Sequence, residues 1–151
     1  MVRMEREMSR RVVYHGFGFP VTLVNVPMVR IRGAWTPDVN YEHIQRALLR
    51  VLSEKPSRLT GDEVRFIRLT FEWTLQEFAK RFSVTHPAVL KWERAGRKLT
   101  GMVWATEKDI RLYALSRLEK KPSRFFAAYL ELEHQPTGRP SPLALDLTSV
   151  A

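Results

Sequence analysis

The chain has 151 residues, enough for one domain or two small ones. Its 25 Lys plus Arg outweigh 16 Asp plus Glu, giving a formal net charge of +9 that points to a polyanionic partner. It contains no cysteine, which excludes disulfides, cysteine-ligated zinc and thiol catalysis and fits a reducing compartment.

The start, Met1-Val-Arg-Met-Glu-Arg-Glu-Met-Ser-Arg-Arg, is charged and lacks the apolar core of a signal peptide. No apolar run approaches the ~20 residues that span a bilayer, so no membrane partner and a cytoplasmic location are expected. Nor does any long amphipathic stretch join a basic face to a free apolar one, which makes acidic lipid the weaker polyanion. Val12, Val13 and Tyr14 lead into Gly16-Phe-Gly, a turn signal. Val21-Thr-Leu-Val-Asn-Val and Met28-Val-Arg-Ile-Arg follow with β-branched residues and partial alternation, so residues 11 to about 35 are predicted as β structure. Pro20 and Pro27 limit strand length and predict edges or bends. Asp38 to Leu52 is predicted as a helix with Tyr41, Ile44, Ala47, Leu48, Val51 and Leu52 on one stripe, ended by Pro56.

Thr60 and Glu63 form a capping box that opens a further helix, whose Val64, Ile67, Leu69 and Phe71 can be buried. Thr106-Glu-Lys-Asp is predicted to cap a helix with Ile110, Tyr113, Ala114 and Leu118 in phase, and Lys120-Lys-Pro-Ser breaks it. Phe125, Phe126, Tyr129, Leu130 and Leu132 mark a last apolar-rich helix. The segment after His134, with Pro136, Gly138, Pro140 and Pro142, is predicted to be a flexible tail. Two short echoes, Lys55-Pro-Ser-Arg with Lys121-Pro-Ser-Arg and Leu59-Thr-Gly with Leu99-Thr-Gly, are too short for a repeat architecture and suggest similar turn chemistry.

Residues 74 to 96 carry the strongest functional signal. Thr74 and Glu77 are spaced as a capping box, and Leu75, Phe78, Ala79 and Phe82 recur at helical spacing. Ser83 and Val84 break the run. Thr85 then caps a second helix with Pro87 in its first turn, and Gly96 is a C-terminal stop. Two short helices joined in this way form a helix-turn-helix, whose second helix can lie in a DNA major groove. The helix from Thr60 would brace it, giving a three-helix core. Between Lys80 and Lys98 the basic residues Lys80, Arg81, Lys91, Arg94, Arg97 and Lys98 face a single acid, Glu93.

Leu59-Thr-Gly-Asp-Glu-Val-Arg-Phe-Ile-Arg, Leu75-Gln-Glu-Phe-Ala and Val89-Leu-Lys-Trp-Glu-Arg together resemble the Cro/Xre helix-turn-helix family, and within it the MqsA-type (YgiT-like) antitoxin branch. The resemblance covers residues 59 to 97 and extends more loosely to Tyr14-His-Gly-Phe-Gly-Phe-Pro-Val-Thr-Leu. It implies a dimeric DNA-binding protein that represses its own operon and neutralises a co-encoded ribonuclease toxin. It also implies that Glu93 pairs with an arginine of the preceding helix, Arg65 or Arg68. The chain departs from the family pattern in three respects. Its zinc-holding Cys-x-x-Cys pairs have no counterpart, so no metal or cofactor is carried over. Leu75 stands where many members place a DNA-contacting glutamine, and Ala95 lengthens the usual Trp-Glu-x-Gly ending.

The expected fold is therefore mainly α with a small N-terminal β region, a Cro/Xre-like helix-turn-helix core and C-terminal helices. Its expected segments are 1–58 (β-rich, with one helix), 59–101 (the DNA-binding core), 102–134 (helices suited to dimerisation) and 135–151 (the tail). Candidate DNA contacts are Thr74 and Gln76 in the first helix, with Thr85, His86, Pro87, Ala88, Lys91 and Arg94 in the second. Thr74 and Thr85 sit at helix N-termini, where hydroxyl and amide donors suit phosphate. Lys91 can donate to guanine O6 or N7 or to phosphate, Ala88 can touch a thymine methyl, and His86 is either a contact or a solvated imidazole. Val89 and Trp92 are expected to face the core. Tyr113, Phe125, Phe126 and Tyr129 are candidates for a dimer interface or for intramolecular core.

The histidines His15, His43, His86 and His134 are scattered, with no helical metal pair. Neither a phosphate-binding Gly-x-x-x-x-Gly-Lys loop nor a Gly-x-Ser-x-Gly elbow occurs, and Asp38, Glu42 and His43 suit a solvated helix face, so catalysis is not expected. The leading expectation is a sequence-specific repressor of the antitoxin type that binds an operator palindrome as a homodimer, with a small basic ribonuclease toxin as a further partner. The alternatives are a protein-interaction module that neutralises a toxin, with DNA binding secondary, and a stand-alone Xre-type regulator.

Overall fold

The computed structural model describes residues 6–148; residues 1–5 of the charged start and 149–151 of the expected tail lie outside them. The fold is mixed α/β, with more sheet than a mainly α expectation allows: six helices and a four-stranded sheet among the described residues. Among the described residues, no helix is long and apolar enough to cross a membrane. The chain divides into two compact units, one holding the residues up to Leu48 together with those from Pro142 onward, the other holding Leu49–Ser141. These boundaries fall inside the expected segments 1–58 and 135–151, while 59–101 and 102–134 both lie within the second unit.

The first unit is organised by one long strand. β1 (Arg6–Tyr14) and β2 (Val21–Ile31) pair antiparallel from Arg6↔Val29 to Tyr14↔Val21. The connection turns at Gly18, whose φ of +95° favours glycine and whose amide donates to the His15 carbonyl at 3.1 Å. The opposite edge of β2 is shared. β3 (Ala34–Pro37) pairs antiparallel with Met28–Ile31, while β4 (Leu143–Asp146) pairs parallel with Val21–Val24. Part of the expected flexible tail is thus a strand.

Pro27 was expected to bound a strand, yet β2 runs through it. On the shared edge it falls between the stretch bonded to β4 and the stretch bonded to β3, where a missing amide donor breaks no ladder bond. Buried positions in β2 switch from Val21 and Leu23 to Val26 and Met28. Asn25 between them has φ +56°, and one left-handed residue breaks the two-residue alternation of a strand. The Asn25 amide donates to the Asp146 carboxylate at 3.0 Å and so ties β2 to β4. That bond and two from Thr148 hold the Asp146 carboxyl below its ordinary pKa.

α1 (Tyr41–Glu54) begins later than the expected Asp38, because Asn40 Oδ1 caps it by accepting from the amides of Glu42 and His43 at 3.0 and 3.3 Å. In the second unit follow α2 (Gly61–Thr70), α3 (Leu75–Arg81), α4 (His86–Arg94), α5 (Trp104–Leu118) and α6 (Pro122–Glu131). The expected cap of α5 at Thr106 is not formed: the helix starts three residues earlier, after Val103, with no side-chain cap. On α2, Val64, Ile67 and Phe71 are buried as expected, but Leu69 is exposed and Phe66 takes its place inside. Leu69 is two positions from Ile67, which on a helix is the opposite side. The Leu59-Thr-Gly and Leu99-Thr-Gly echoes lie side by side, joined by a bridge between Thr60 and Leu99.

Charge is buried at the centre of this unit. Glu107 and Arg111, one turn apart on α5, are both fully buried. Glu107 Oε2 accepts from Arg111 Nε and Nη2 at 3.1 and 2.8 Å, and its Oε1 accepts from Arg58 Nε at 2.9 Å and the Leu59 amide at 3.2 Å. Arg111 also donates to the carbonyls of Lys55 and Ser57, so both ions are closely partnered. Burial pulls the guanidinium pKa of Arg111 below its ordinary value, and the Glu107 carboxylate pulls it back. Beside it the Lys55 ammonium meets Glu63 Oε1 at 2.6 Å. Arg111→Ala leaves Glu107 with less counter-charge and two buried carbonyls bare, and should cost about 3–5 kcal/mol in chemical denaturation. A loss below about 1 kcal/mol would show that water replaces the guanidinium freely.

Candidate nucleic-acid interface

Three helix ends share one device. After α2, α3 and α4 the chain turns through left-handed residues: Glu72 at φ +58°, Ser83 at +57° and Gly96 at +60°. In each of the first two, two amides fold back onto the last turn. Ser83 N donates to the Lys80 carbonyl and Val84 N to the Ala79 carbonyl; Glu72 N and Trp73 N do the same to Leu69 and Arg68. This motif stops α3 in one residue and turns the chain into α4, although only the last of the three positions is glycine.

The N-terminus of each helix is held by threonine. Thr60 makes the full capping box with Glu63. Thr74 Oγ1 accepts from the Glu77 amide at 3.1 Å, but the reciprocal arm is missing, since the hydroxyl itself donates to Glu77 Oε1. The expected box at Thr74 is therefore half formed. Thr85 Oγ1 accepts from the Ala88 amide at 3.3 Å, with Pro87 in the first turn where no donor is lost.

Val89 and Trp92 are buried, which fixes the orientation of α4. At 100° per residue the direction opposite them is shared by Pro87, Lys91 and Arg94, all exposed. His86 flanks this face and is exposed, and Ala88, on its other flank, is half-buried. Thr74 and Gln76 are exposed at the start of α3, and Thr85 is exposed at the start of α4. The candidate residues thus occupy the exposed sides of two successive helices, and Ala88 is the least accessible of them.

Glu93 decides the electrostatics. Its carboxylate turns inward and is gripped at both oxygens by Arg68: Nε to Oε2 at 2.7 Å and Nη2 to Oε1 at 2.8 Å. Arg65 adds a longer contact at 3.8 Å. Arg68 Nη1 also donates to the Trp73 carbonyl at 2.9 Å, so one side chain clamps α2, the turn before α3 and α4. The sole acid of the 80–98 stretch is neutralised, while Lys91, Arg94, Arg97 and Lys98 are exposed and carry no ion pair to the described residues. Arg81 is engaged: it pairs with Asp109 at 3.8 Å and lies 4.4 Å over the Tyr113 ring.

The exit of α4 is pinned just as tightly. Gly61 N donates to the Lys98 carbonyl at 3.1 Å and Asp62 N to the Gly96 carbonyl at 2.9 Å. A Cβ on Gly61 would sit 2.3 Å from the Trp92 carbonyl oxygen, so only glycine lets α2 approach this closely. Beneath α3 lies an aromatic cluster of Phe71, Trp73, Phe78, Phe82 and Tyr113, with ring centroids 4.7–6.5 Å apart. Tyr113, a candidate dimer contact from the sequence, belongs to this intramolecular cluster.

Sequence reasoning missed Gly61 and the left-handed caps at Glu72 and Ser83. Glycine after a capping threonine carries no signal of close approach, and serine carries none of positive φ. Compared with protein-family models, curated proteins and solved structures, the chain matches none.

Arg68→Ala and Glu93→Ala should each destabilise by about 2–3 kcal/mol, since each leaves a largely buried charge unpaired. The double variant should show a coupling of about 1–3 kcal/mol in urea unfolding, and strictly additive losses would refute the clamp. Ser83→Gly should raise stability by about 0.5–1 kcal/mol by relieving the left-handed backbone, and a loss would overturn that assignment.

Proposed function

We propose that this chain is a sequence-specific transcriptional repressor of the antitoxin type. It binds double-stranded DNA at an operator palindrome as a homodimer, represses its own operon, and takes a small basic ribonuclease toxin as a further partner. In this reading α3 and α4 are a helix-turn-helix braced by α2, and the protein acts in the cytoplasm without a catalytic step, metal or cofactor. The observation that carries it is the exposed face of α4, basic at Lys91 and Arg94 and continued by Arg97 and Lys98, beside an acid turned inward onto Arg68. The likeness of residues 59–97 to Cro/Xre proteins supports the same reading.

The roles follow from chemistry. Lys91 donates to guanine O6 or N7 or to a phosphate, Arg94 and Gln76 contact the backbone, and Ala88 and Pro87 offer apolar contact to a thymine methyl. Thr74 and Thr85 present hydroxyl and amide donors to phosphate, and His86 donates at the groove edge. Leu75 supplies no hydrogen bond where a glutamine would.

Mobility shift with the DNA upstream of the gene tests the proposal. Binding should fall steeply with salt, and Lys91→Ala should weaken it about tenfold. The slope of log affinity against log salt should drop by about 0.9 if Lys91 contacts a phosphate. An unchanged affinity for Lys91→Ala, or binding indifferent to sequence, would sink it.

A second reading, an interaction module that neutralises a toxin with DNA binding secondary, is favoured by the sheet unit, where Val13, Ile31, Trp35 and Tyr41 are exposed. Loss of partner activity on mixing with the neighbouring gene's product, in a Lys91→Ala background, separates the two.

A further inference from the structure

α6 is the one helix of the second unit with no buried residue among its ten. Its inward side is marked by Phe125 and Ala128, half-buried, and by Leu132 just beyond its end, buried. Its outward side carries Ser123, Phe126, Ala127 and Leu130, all exposed. Their spacing of i, i+3, i+4 and i+7 forms one stripe along the helix, of the kind that packs against another helix. Phe126 is 60 % and Leu130 45 % exposed, and Ala127 between them is small enough to let a second backbone approach.

The charges of α6 run against its own dipole. A lone helix is stabilised by acids in its first turn and bases in its last. Here the first turn has no acid and the last has no base. Instead Lys120, Lys121 and Arg124 stand at the start and Glu131 and Glu133 at the end. None of these five makes a salt bridge to a described residue. Arg124 and Glu131, seven residues apart, lie on the same flank of the stripe. Such a helix is self-complementary when reversed: turned antiparallel on itself, its basic end meets the acidic end of the other copy, and like flanks face each other.

We propose that the α6 stripe is the surface on which a second copy of this chain docks, α6 against α6, antiparallel about a two-fold axis. Phe126, Ala127 and Leu130 form its apolar centre, and Arg124 of each copy faces Glu131 of the other. Tyr129, stacked parallel to Phe126 with centroids 6.4 Å apart and approached by the Lys108 ammonium at 5.7 Å, borders the stripe and stiffens it. A pair of ten-residue helices lies at the low end of interface sizes, below about 1,200 Å², so the association is reversible and concentration-dependent. This surface deepens the homodimer of the DNA-binding reading, but its test contains no DNA, so either can fail alone.

Sedimentation equilibrium on the full chain, over a dilution series, reads the association directly. The native chain should pass from monomer to twice the monomer mass. Phe126→Glu should abolish the dimer, with an unchanged far-UV spectrum because the side chain is exposed. Arg124→Glu and Glu131→Arg should each weaken self-association about tenfold, by setting like charges face to face at both ends. Mixed in equal amounts, these two single variants should dimerise with each other, since every facing pair is then opposite in sign. A native chain that stays monomeric overturns the proposal, as does a dimer indifferent to Phe126→Glu. Failure of the mixed variants to restore association overturns the antiparallel geometry. Binding of a neighbouring gene's product to α6 in place of a second copy would also reject it.

Discussion

The attachment of α4 to α2 and to the turn before α3 depends on one bidentate ion pair. Arg68 holds both oxygens of Glu93 and, with its remaining amine, the carbonyl of Trp73, so three pieces of chain are fixed by a single planar group. A guanidinium suits this place because its donors are rigidly spaced and its charge is permanent, whereas a lysine would meet only one oxygen at a time. The pair has an electrostatic result as well as a mechanical one. It removes the one negative charge from a stretch otherwise basic, so that the outer face of α4 acts on solvent as a cation.

Around this clamp the second unit is braced by further fixed points. Gly61 lets the start of α2 lie against the end of α4, and the amides of Gly61 and Asp62 find their acceptors in the chain leaving α4. Below, Glu107 gathers Arg58, Arg111 and the Leu59 amide into a buried ionic group that fixes the approach to α2 against α5. Such a group adds little net stability compared with an apolar core, yet it tolerates only one arrangement. The aromatic cluster under α3 then fills the remaining space. Rigidity is the common result, and a surface that must match another rigid surface gains from it.

What the sequence discloses and what it withholds divide along the range of the interaction. Thr60, Thr74 and Thr85 announce helix starts because a cap involves residues three apart, and Gly96 announces a stop for the same reason. The inward face of α4 is legible from the spacing of Val89 and Trp92. Residues 143–146 give no comparable sign: four residues among prolines form a strand only because β2 offers a distant free edge. The reversal of burial at Asn25 is hidden likewise, since one left-handed residue changes which side of a strand faces inward without altering composition. Arg111 looks like any surface arginine until Glu107 and the carbonyls of Lys55 and Ser57 are brought to it from across the unit. Leu69 is apolar enough to suggest burial, but its helical phase places it on the exposed side of α2.

The parallel pairing of β4 with β2 also sets an order of events. Asn25 and Asp146, which bond across it, are 121 residues apart, and the whole second unit is threaded between them. On a ribosome, β1 to β3 emerge early and then wait with part of the shared edge of β2 unpaired while the helices are made and packed. The sheet is begun first and completed last. In that interval the amides and carbonyls of Val21–Val24 form an open template on which newly made chains can pair with one another until β4 arrives.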